Sequence, residues 1–183
     1  MRVSVYIATS LDGFIARKNG DVDWLMAAGN PDDTEDYGYK KFSDTVDCMV
    51  MGRNSMKMVM GFIATGSAEW PYKGKRVVIL SNTLKQVPAQ LADKVELYSG
   101  SLTELVQRLK QEGCNRLYID GGKTIQSFLH EGLITDLTIT KIPVLLGEGL
   151  PLFGNTGRDI KLKHVKTEAY PSPHFSPGGV EYL

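Results

Sequence analysis

The feature that most constrains this chain is an alternation. Short apolar runs rich in β-branched residues, at 3–8, 48–51, 76–80, 95–98, 116–119 and 137–142, are separated by helix-like segments at 34–43, 54–60, 101–111 and 124–130. Several runs are continuously apolar, as strands buried on both faces tend to be. Strands that alternate with helices pair in parallel, because each crossover brings the chain back to the same end of the sheet. The helix at 101–111 is the best marked. Ser101 stands three residues before Glu104, Leu102, Leu105, Val106 and Leu109 share one face, and Gly113 follows the last turn. The pattern predicts an α/β protein, a three-layer α/β/α sandwich on a mostly parallel sheet. Residues 160–169 alternate more regularly and 180–183 read as a further strand, so a C-terminal antiparallel hairpin is expected at the sheet edge. With no repeat, linker or low-complexity tract, residues 1–183 read as a single domain.

Composition removes several functions. Lys and Arg total 21 and so do Asp and Glu, and this balance argues against a dedicated nucleic-acid binder, which carries a basic excess. A small phosphorylated ligand needs only two or three local cations. Cys48 and Cys114 are too few for a disulfide scaffold and lack metal-ligand spacing, so no metal is expected. No apolar window approaches a membrane span, and the N-terminal stretch is too polar for a signal peptide, so a cytoplasmic location is expected. His130, His164 and His174 are scattered and make no Ser–His–Asp set. His130 reads as a charge at a helix C-terminus.

Glycine is the enriched residue, 19 of 183, and its placement carries the chemistry. Four apolar runs each lead to a glycine or small polar residue and then a turn or helix. They are Met51-Gly52-Arg53-Asn54-Ser55, Leu80-Ser81-Asn82-Thr83, Asp120-Gly121-Gly122-Lys123-Thr124 and Leu146-Gly147-Glu148-Gly149-Leu150-Pro151. Glycines at strand ends let backbone approach a ligand closely, and unpaired N–H groups at a helix start favour phosphate. Each motif alone could be an ordinary turn. In an open parallel sheet such ends converge on one crevice, where ligands bind.

These stretches, with Ala8-Thr9-Ser10-Leu11-Asp12-Gly13-Phe14-Ile15-Ala16 before them, occur in the order seen in the dihydrofolate-reductase-like superfamily. The chain resembles the C-terminal reductase domain of bacterial riboflavin biosynthesis, as a stand-alone bacterial member. The resemblance spans residues 3–153. It implies the dihydrofolate-reductase-like fold, NADPH as cofactor, and hydride transfer to a small heterocyclic or ribosyl-type substrate, as in 5-amino-6-(5-phosphoribosylamino)uracil reductase. Dihydrofolate reduction and a non-catalytic nucleotide-binding module are the alternatives. Carried over by position, Ala8 and Ile15 flank the nicotinamide, and Gly52, Arg53, Asn54 and Ser55 face the adenosine side. Ser81 and Asn82 lie along the adenine ribose and its 2′-phosphate, and Gly121, Gly122, Lys123 and Thr124 cradle the pyrophosphate. Arg53 and Lys123 are the cations expected to favour NADPH over NADH.

Dihydrofolate reductases place a carboxylate on the helix after the first loop. Here Asp32, Asp33, Glu35 and Asp36 compete for that position, and counting back from Gly52 favours Asp36 as the proton donor. Trp24 and Tyr37 are candidate substrate contacts. Asp12 reads as a residue that fixes the turn at 11–13. Residues 56–72 lack the Asp-x-Pro-x-Leu segment of the riboflavin-pathway reductases. The expected partner is a small-molecule substrate, with neither nucleic acid nor membrane, and the resemblance is compatible with a homodimer.

Overall fold

The computed structural model describes residues 1–28, 36–66 and 69–170. In chain order the elements are β1 (Arg2–Ser10), β2 (Phe14–Ala16), α1 (Asp23–Ala28), α2 (Tyr39–Ser43), β3 (Cys48–Gly52), α3 (Arg53–Ala64), β4 (Arg76–Leu80), β5 (Glu96–Tyr98), α4 (Leu102–Gln111), β6 (Arg116–Asp120), α5 (Gly122–His130), β7 (Asp136–Ile142) and β8 (Leu150–Pro151). All six apolar runs are strands of one sheet, ordered β5-β4-β3-β6-β1-β7, and every neighbouring pair is parallel. The chain builds outward from β3 to β5, then returns to place β6 between β3 and β1. The order therefore reverses in the middle of the sheet.

Strand alternation sorts the core into two layers. Val3, Val5, Cys48, Val50, Val78, Leu117 and Ile119 face α4 and α5, meeting Leu105, Leu109, Ile125 and Phe128. Met49, Met51, Val77, Ile79 and Tyr118 face the other way and meet Met56 of α3 and Phe42 of α2. Helices thus cover both faces of the sheet, the three-layer sandwich expected. Each fully buried Ile, Leu or Phe contributes about 1.5–3 kcal/mol relative to solvent exposure. Phe128 and Ile125, both wholly buried, fasten α5 to the sheet and so fix the position of its N-terminus.

Four details differ from the sequence reading. In the segment at 34–43, whose first two residues lie outside the described ones, α2 begins at Tyr39, because Tyr37 and Gly38 adopt positive φ values of 56° and 85°. Conversely, α3 runs on to Ala64, four residues beyond the expected end. A small antiparallel pair, β2 with β8, was not anticipated. Finally, residues 160–169 form no strand, and 180–183 lie outside the described residues. Leu162 and Val165 are out of phase for a two-residue repeat, so no single apolar face exists to dock on the sheet, and both side chains stand in solvent.

Among the described residues no helix is long and apolar enough to cross a membrane.

Candidate active site

The four strand-end motifs meet at the carboxyl end of the sheet, and hypothetical side chains on their glycines show how closely. A Cβ on Gly52 would lie 3.0 Å from Thr124 Oγ1, and one on Gly121 would lie 2.4 Å from Ser55 Oγ. The N-termini of α3 and α5 are therefore side by side, each touching the other's first turn. A Cβ on Gly122 would meet Ile15 Cδ1 at 2.8 Å and Pro151 O at 3.4 Å, which brings the β2–β8 pair to the same place.

Both helices start on glycine, and neither has a side-chain cap. In α4, by contrast, Ser101 caps the helix by accepting from Glu104 N. The uncapped N–H groups of α3 and α5 are donors that an anion can satisfy, reinforced by two helix dipoles. Gly121, at φ 90° and ψ 132°, makes the turn from β6 into α5 with a backbone that side-chain-bearing residues rarely adopt.

The cations stand at the edges of this cradle. Arg53 opens α3 and donates to Thr83 Oγ1 at 2.6 Å, which ties it to the turn after β4. That turn is shaped by Ser81, whose hydroxyl accepts from Thr83 N and Leu84 N, with Asn82 exposed beside it. Lys123 is exposed on the first turn of α5 and pairs with no carboxylate among the described residues. The Gly52–Ser55, Ser81–Asn82 and Gly121–Thr124 sets thus lie on one continuous surface. Ala8 lies in the carboxyl-terminal half of β1, adjacent to β7 through its pairing with Thr140.

The first loop is clasped over this end of the sheet. Asp12 accepts from Ser10 Oγ at 2.6 Å, Gly147 N at 2.8 Å and Leu146 N at 3.2 Å. The Ser10 bond is the chief cause that holds its carboxyl below the usual range, with the two backbone donors adding to it. Asp12 therefore fixes the turn as an ionised anchor and also binds the glycine-rich loop before β8. Leu152 N donates to Gly13 O at 3.0 Å and completes the clasp.

The acid assigned from sequence needs correction. Asp36 is exposed, and its carboxylate accepts from Lys40 N at 2.6 Å and Gly38 N at 2.9 Å, so it caps the start of α2. Those backbone bonds hold its carboxyl below the ordinary value, which makes it a poor proton donor near neutrality. Asp32, Asp33 and Glu35 lie outside the described residues.

A second carboxyl at this end of the sheet is that of Asp120, the last residue of β6. Desolvation pushes it up, against opposing hydrogen bonds from Gly121 N–H and the Ser55 hydroxyl. Tyr39, Tyr72 and Tyr118 stand around it, each with its hydroxyl pushed up first by burial and then by the Asp120 charge. The sequence does hold a signal for Asp120. It is an acid ending a continuously apolar strand, one alternation after Tyr118 and directly before paired glycines.

Trp24 is buried at the start of α1, and among the described residues its indole Nε1 has no acceptor and the buried Thr9 hydroxyl near the end of β1 has no partner. Tyr37 is engaged within the protein. Its carbonyl accepts from the hydroxyls of Tyr6 and Tyr170, and its ring packs edge-on against Tyr170 at 5.2 Å.

A parallel sheet with helices on both faces, a reversal of strand order, and two glycine-started helices opening side by side define an open α/β protein with a crevice at the carboxyl ends of its strands. The chain belongs to the RibD C-terminal domain family, whose profile matches residues 2–173. A crystal structure from Shewanella sp. PV-4, provisionally described as a riboflavin biosynthesis protein, superposes with a TM-score of 0.85 at 46% identity and covers 92% of each chain. Two Bacillus subtilis relatives, YwjB and YyaP, both carry the description uncharacterised. They are 33% and 29% identical, covering 91% and 93% of this chain and 90% of each relative. The bifunctional diaminohydroxyphosphoribosylaminopyrimidine deaminase/5-amino-6-(5-phosphoribosylamino)uracil reductase of Thermotoga maritima shares the fold. It has a TM-score of 0.65 at 17% identity, over 93% of this chain and 54% of that one.

Proposed function

We propose that this chain is an NADPH-dependent reductase that delivers hydride to a small heterocyclic or ribosyl-type substrate held between the end of β1 and Asp120. The observation that carries this reading is the meeting of two uncapped helix N-termini at Gly52 and Gly121, with a desolvated carboxyl beside them. The residues present fit a dinucleotide. Gly121 and Gly122 leave open the space their side chains would fill, and the N–H groups of α5 point to where a pyrophosphate would rest. Arg53 and Lys123 supply the positive charge that a 2′-phosphorylated dinucleotide requires. When bound, the reduced nicotinamide supplies the hydride.

This chain's own task is to position and to protonate. Ala8 and Ile15 would form the wall beside a bound nicotinamide. Asp120, whose pKa desolvation raises from the ordinary carboxylate value, is the carboxyl offered to pass a proton to a substrate ring nitrogen or imine. Ser55 and Gly121 N–H orient that carboxyl, and the unpartnered Trp24 indole N–H is a donor for a substrate carbonyl.

The test is the consumption of reduced nicotinamide, followed by absorbance, with a panel of pyrimidine, pterin and ribosylamine acceptors. Wild type should turn over at least one acceptor class, and Asp120→Asn should lower kcat while leaving NADPH affinity within about twofold. Saturable NADPH binding without turnover of any acceptor would favour a binding module over a reductase.

A further inference from the structure

The start of α2 is held by two phenols from different parts of the chain. Tyr37 has a φ of 56°, uncommon for a residue with a side chain, and Gly38 follows at 85°. The Tyr37 carbonyl accepts two hydroxyls at once, one for each lone pair. The first is the Tyr6 hydroxyl, from β1 of the sheet. The second is the Tyr170 hydroxyl at 3.1 Å, from the segment that follows β8. Glu168 Oε2, 3.0 Å from the Tyr170 hydroxyl, competes for its single proton.

These anchors differ in what stands behind them. Tyr6 is built into the sheet and packs on α2, stacked on Phe42 at 4.8 Å and edge-on to Tyr39 at 5.7 Å. At the far end of α2 the Lys75 ammonium donates to Ser43 O at 2.5 Å and Val46 O at 3.1 Å, so that end is pinned. Tyr170, by contrast, ends an arm without regular structure. Ile160 packs against the core, but every residue from Lys161 to Ala169 is exposed. The arm is the most weakly supported of the three ties.

Helix α2 covers the neighbourhood of Asp120. Phe42 packs edge-on against Tyr118 at 5.1 Å, and Tyr118 lies two residues before Asp120 on the same face of β6. Burial first, and then the Asp120 charge, push the Tyr39 hydroxyl up, so the first turn of α2 lies within the field of that carboxyl.

We infer that residues 158–170 form a strap whose catch is Tyr170 on the Tyr37 carbonyl, and that the closed strap keeps α2 seated over Asp120. Tyr170 is then a positioning residue, acting on that carboxyl through α2 without touching it. When the catch opens, α2 lifts at the Tyr37–Gly38 turn and water reaches Asp120. The strap itself is independent of the reductase reading; on that reading its opening admits substrate to the crevice and releases product.

The experiment is hydrogen exchange followed by mass spectrometry on the full chain. The amides of Lys40, Phe42 and Asp44, each bonded along α2, report the seating of the helix. Tyr170→Phe keeps the ring and removes the hydroxyl. It should speed exchange of those amides about tenfold and leave α4 and α5 unchanged. Val165→Ala, on the same arm and 87% exposed before substitution, should change none of them. The second readout is the titration of the Asp120 carboxyl by carbon-13 NMR, identified by its absence in Asp120→Asn. Tyr170→Ala also removes the ring contact with Tyr37, and it should bring the Asp120 midpoint down toward the ordinary 3.8 as water enters. A role confined to stability would not move that midpoint. Wild-type exchange of α2 in Tyr170→Phe, an unmoved Asp120 midpoint in Tyr170→Ala, or faster exchange spread evenly over every element would overturn the inference. Neither readout needs NADPH or an acceptor, so failure of wild type to bind NADPH would defeat the reductase reading alone.

Discussion

Gly121→Ala isolates the close approach on which the site depends. An alanine there must hold φ near 90°, a conformation that costs roughly 1–3 kcal/mol for a residue with a side chain. Its Cβ would also lie 2.4 Å from Ser55 Oγ, well inside contact distance. Ser55 cannot retreat freely, since its hydroxyl bonds Asp120. The two effects together should cost about 2–4 kcal/mol, with roughly 2–4 °C of melting temperature lost per kcal/mol in a domain of this size. Ser55 Cβ would sit 3.7 Å from the new methyl, an ordinary contact, so adding Ser55→Ala should recover the overlap and leave the backbone cost. Gly61→Ala is the control of opposite sign. It lies within α3 with nothing within 4 Å of its added Cβ, and it should gain about 0.5–1 kcal/mol. Thermal unfolding by circular dichroism reads the three variants against wild type. If Gly121→Ala melts with wild type, or if Ser55→Ala restores nothing, the close packing of the two helix starts is wrong.

Three further outcomes are expected. The folded-state pKa of Asp120 is raised, so the native chain binds protons more tightly than the unfolded one and loses stability as pH climbs above the ordinary 3.8. Asp120→Asn should therefore melt above wild type at neutral pH, with a margin that narrows on acidification; parallel pH profiles would refute this. Burial pushes Glu96 up, but hydrogen bonds from Arg108 and Arg76 outweigh it and set its pKa below the ordinary 4.5, so its contribution is present above that pH and fades as pH falls. Glu96→Gln should lose about 1 kcal/mol in urea at neutral pH and much less near pH 4, whereas an equal loss at both would contradict the network. Cys48 is wholly buried with its thiol pushed up to about 12 by desolvation, while Cys114 is partly exposed. Mass spectrometry after iodoacetamide should find Cys114 labelled first and Cys48 protected until the chain unfolds.

The strands were readable because their short apolar runs carry β-branched residues, and a doubly covered sheet buries such runs whole. Val77, Val78 and Ile79 are such a stretch, and each is essentially solvent-free. The helix pattern of Leu105 and Leu109 was equally direct. The β2–β8 pair escaped because its strands have three and two residues, too few to show a period, and are held by remote bonds such as Leu152 N to Gly13 O. Helix α1, with six residues, is below the length at which apolar spacing distinguishes a helix. The glycine motifs pointed to the crevice, but the acid was sought before β3, where acids are plentiful. The pKa of a carboxylate is set by its burial and by groups brought in from other elements, here the desolvation of Asp120 and the Ser55 hydroxyl of α3, and no local pattern in the chain displays that environment.

The most direct test of the central claim is an equilibrium titration with NADPH, followed by nicotinamide fluorescence, on wild type, Arg53→Ala and Lys123→Ala. One saturable site is expected, weakened about tenfold by each substitution and bound less tightly by NADH. Absence of saturation in wild type, or a Lys123→Ala curve that overlays it, would contradict the assignment of the Gly121–Thr124 cradle to the dinucleotide.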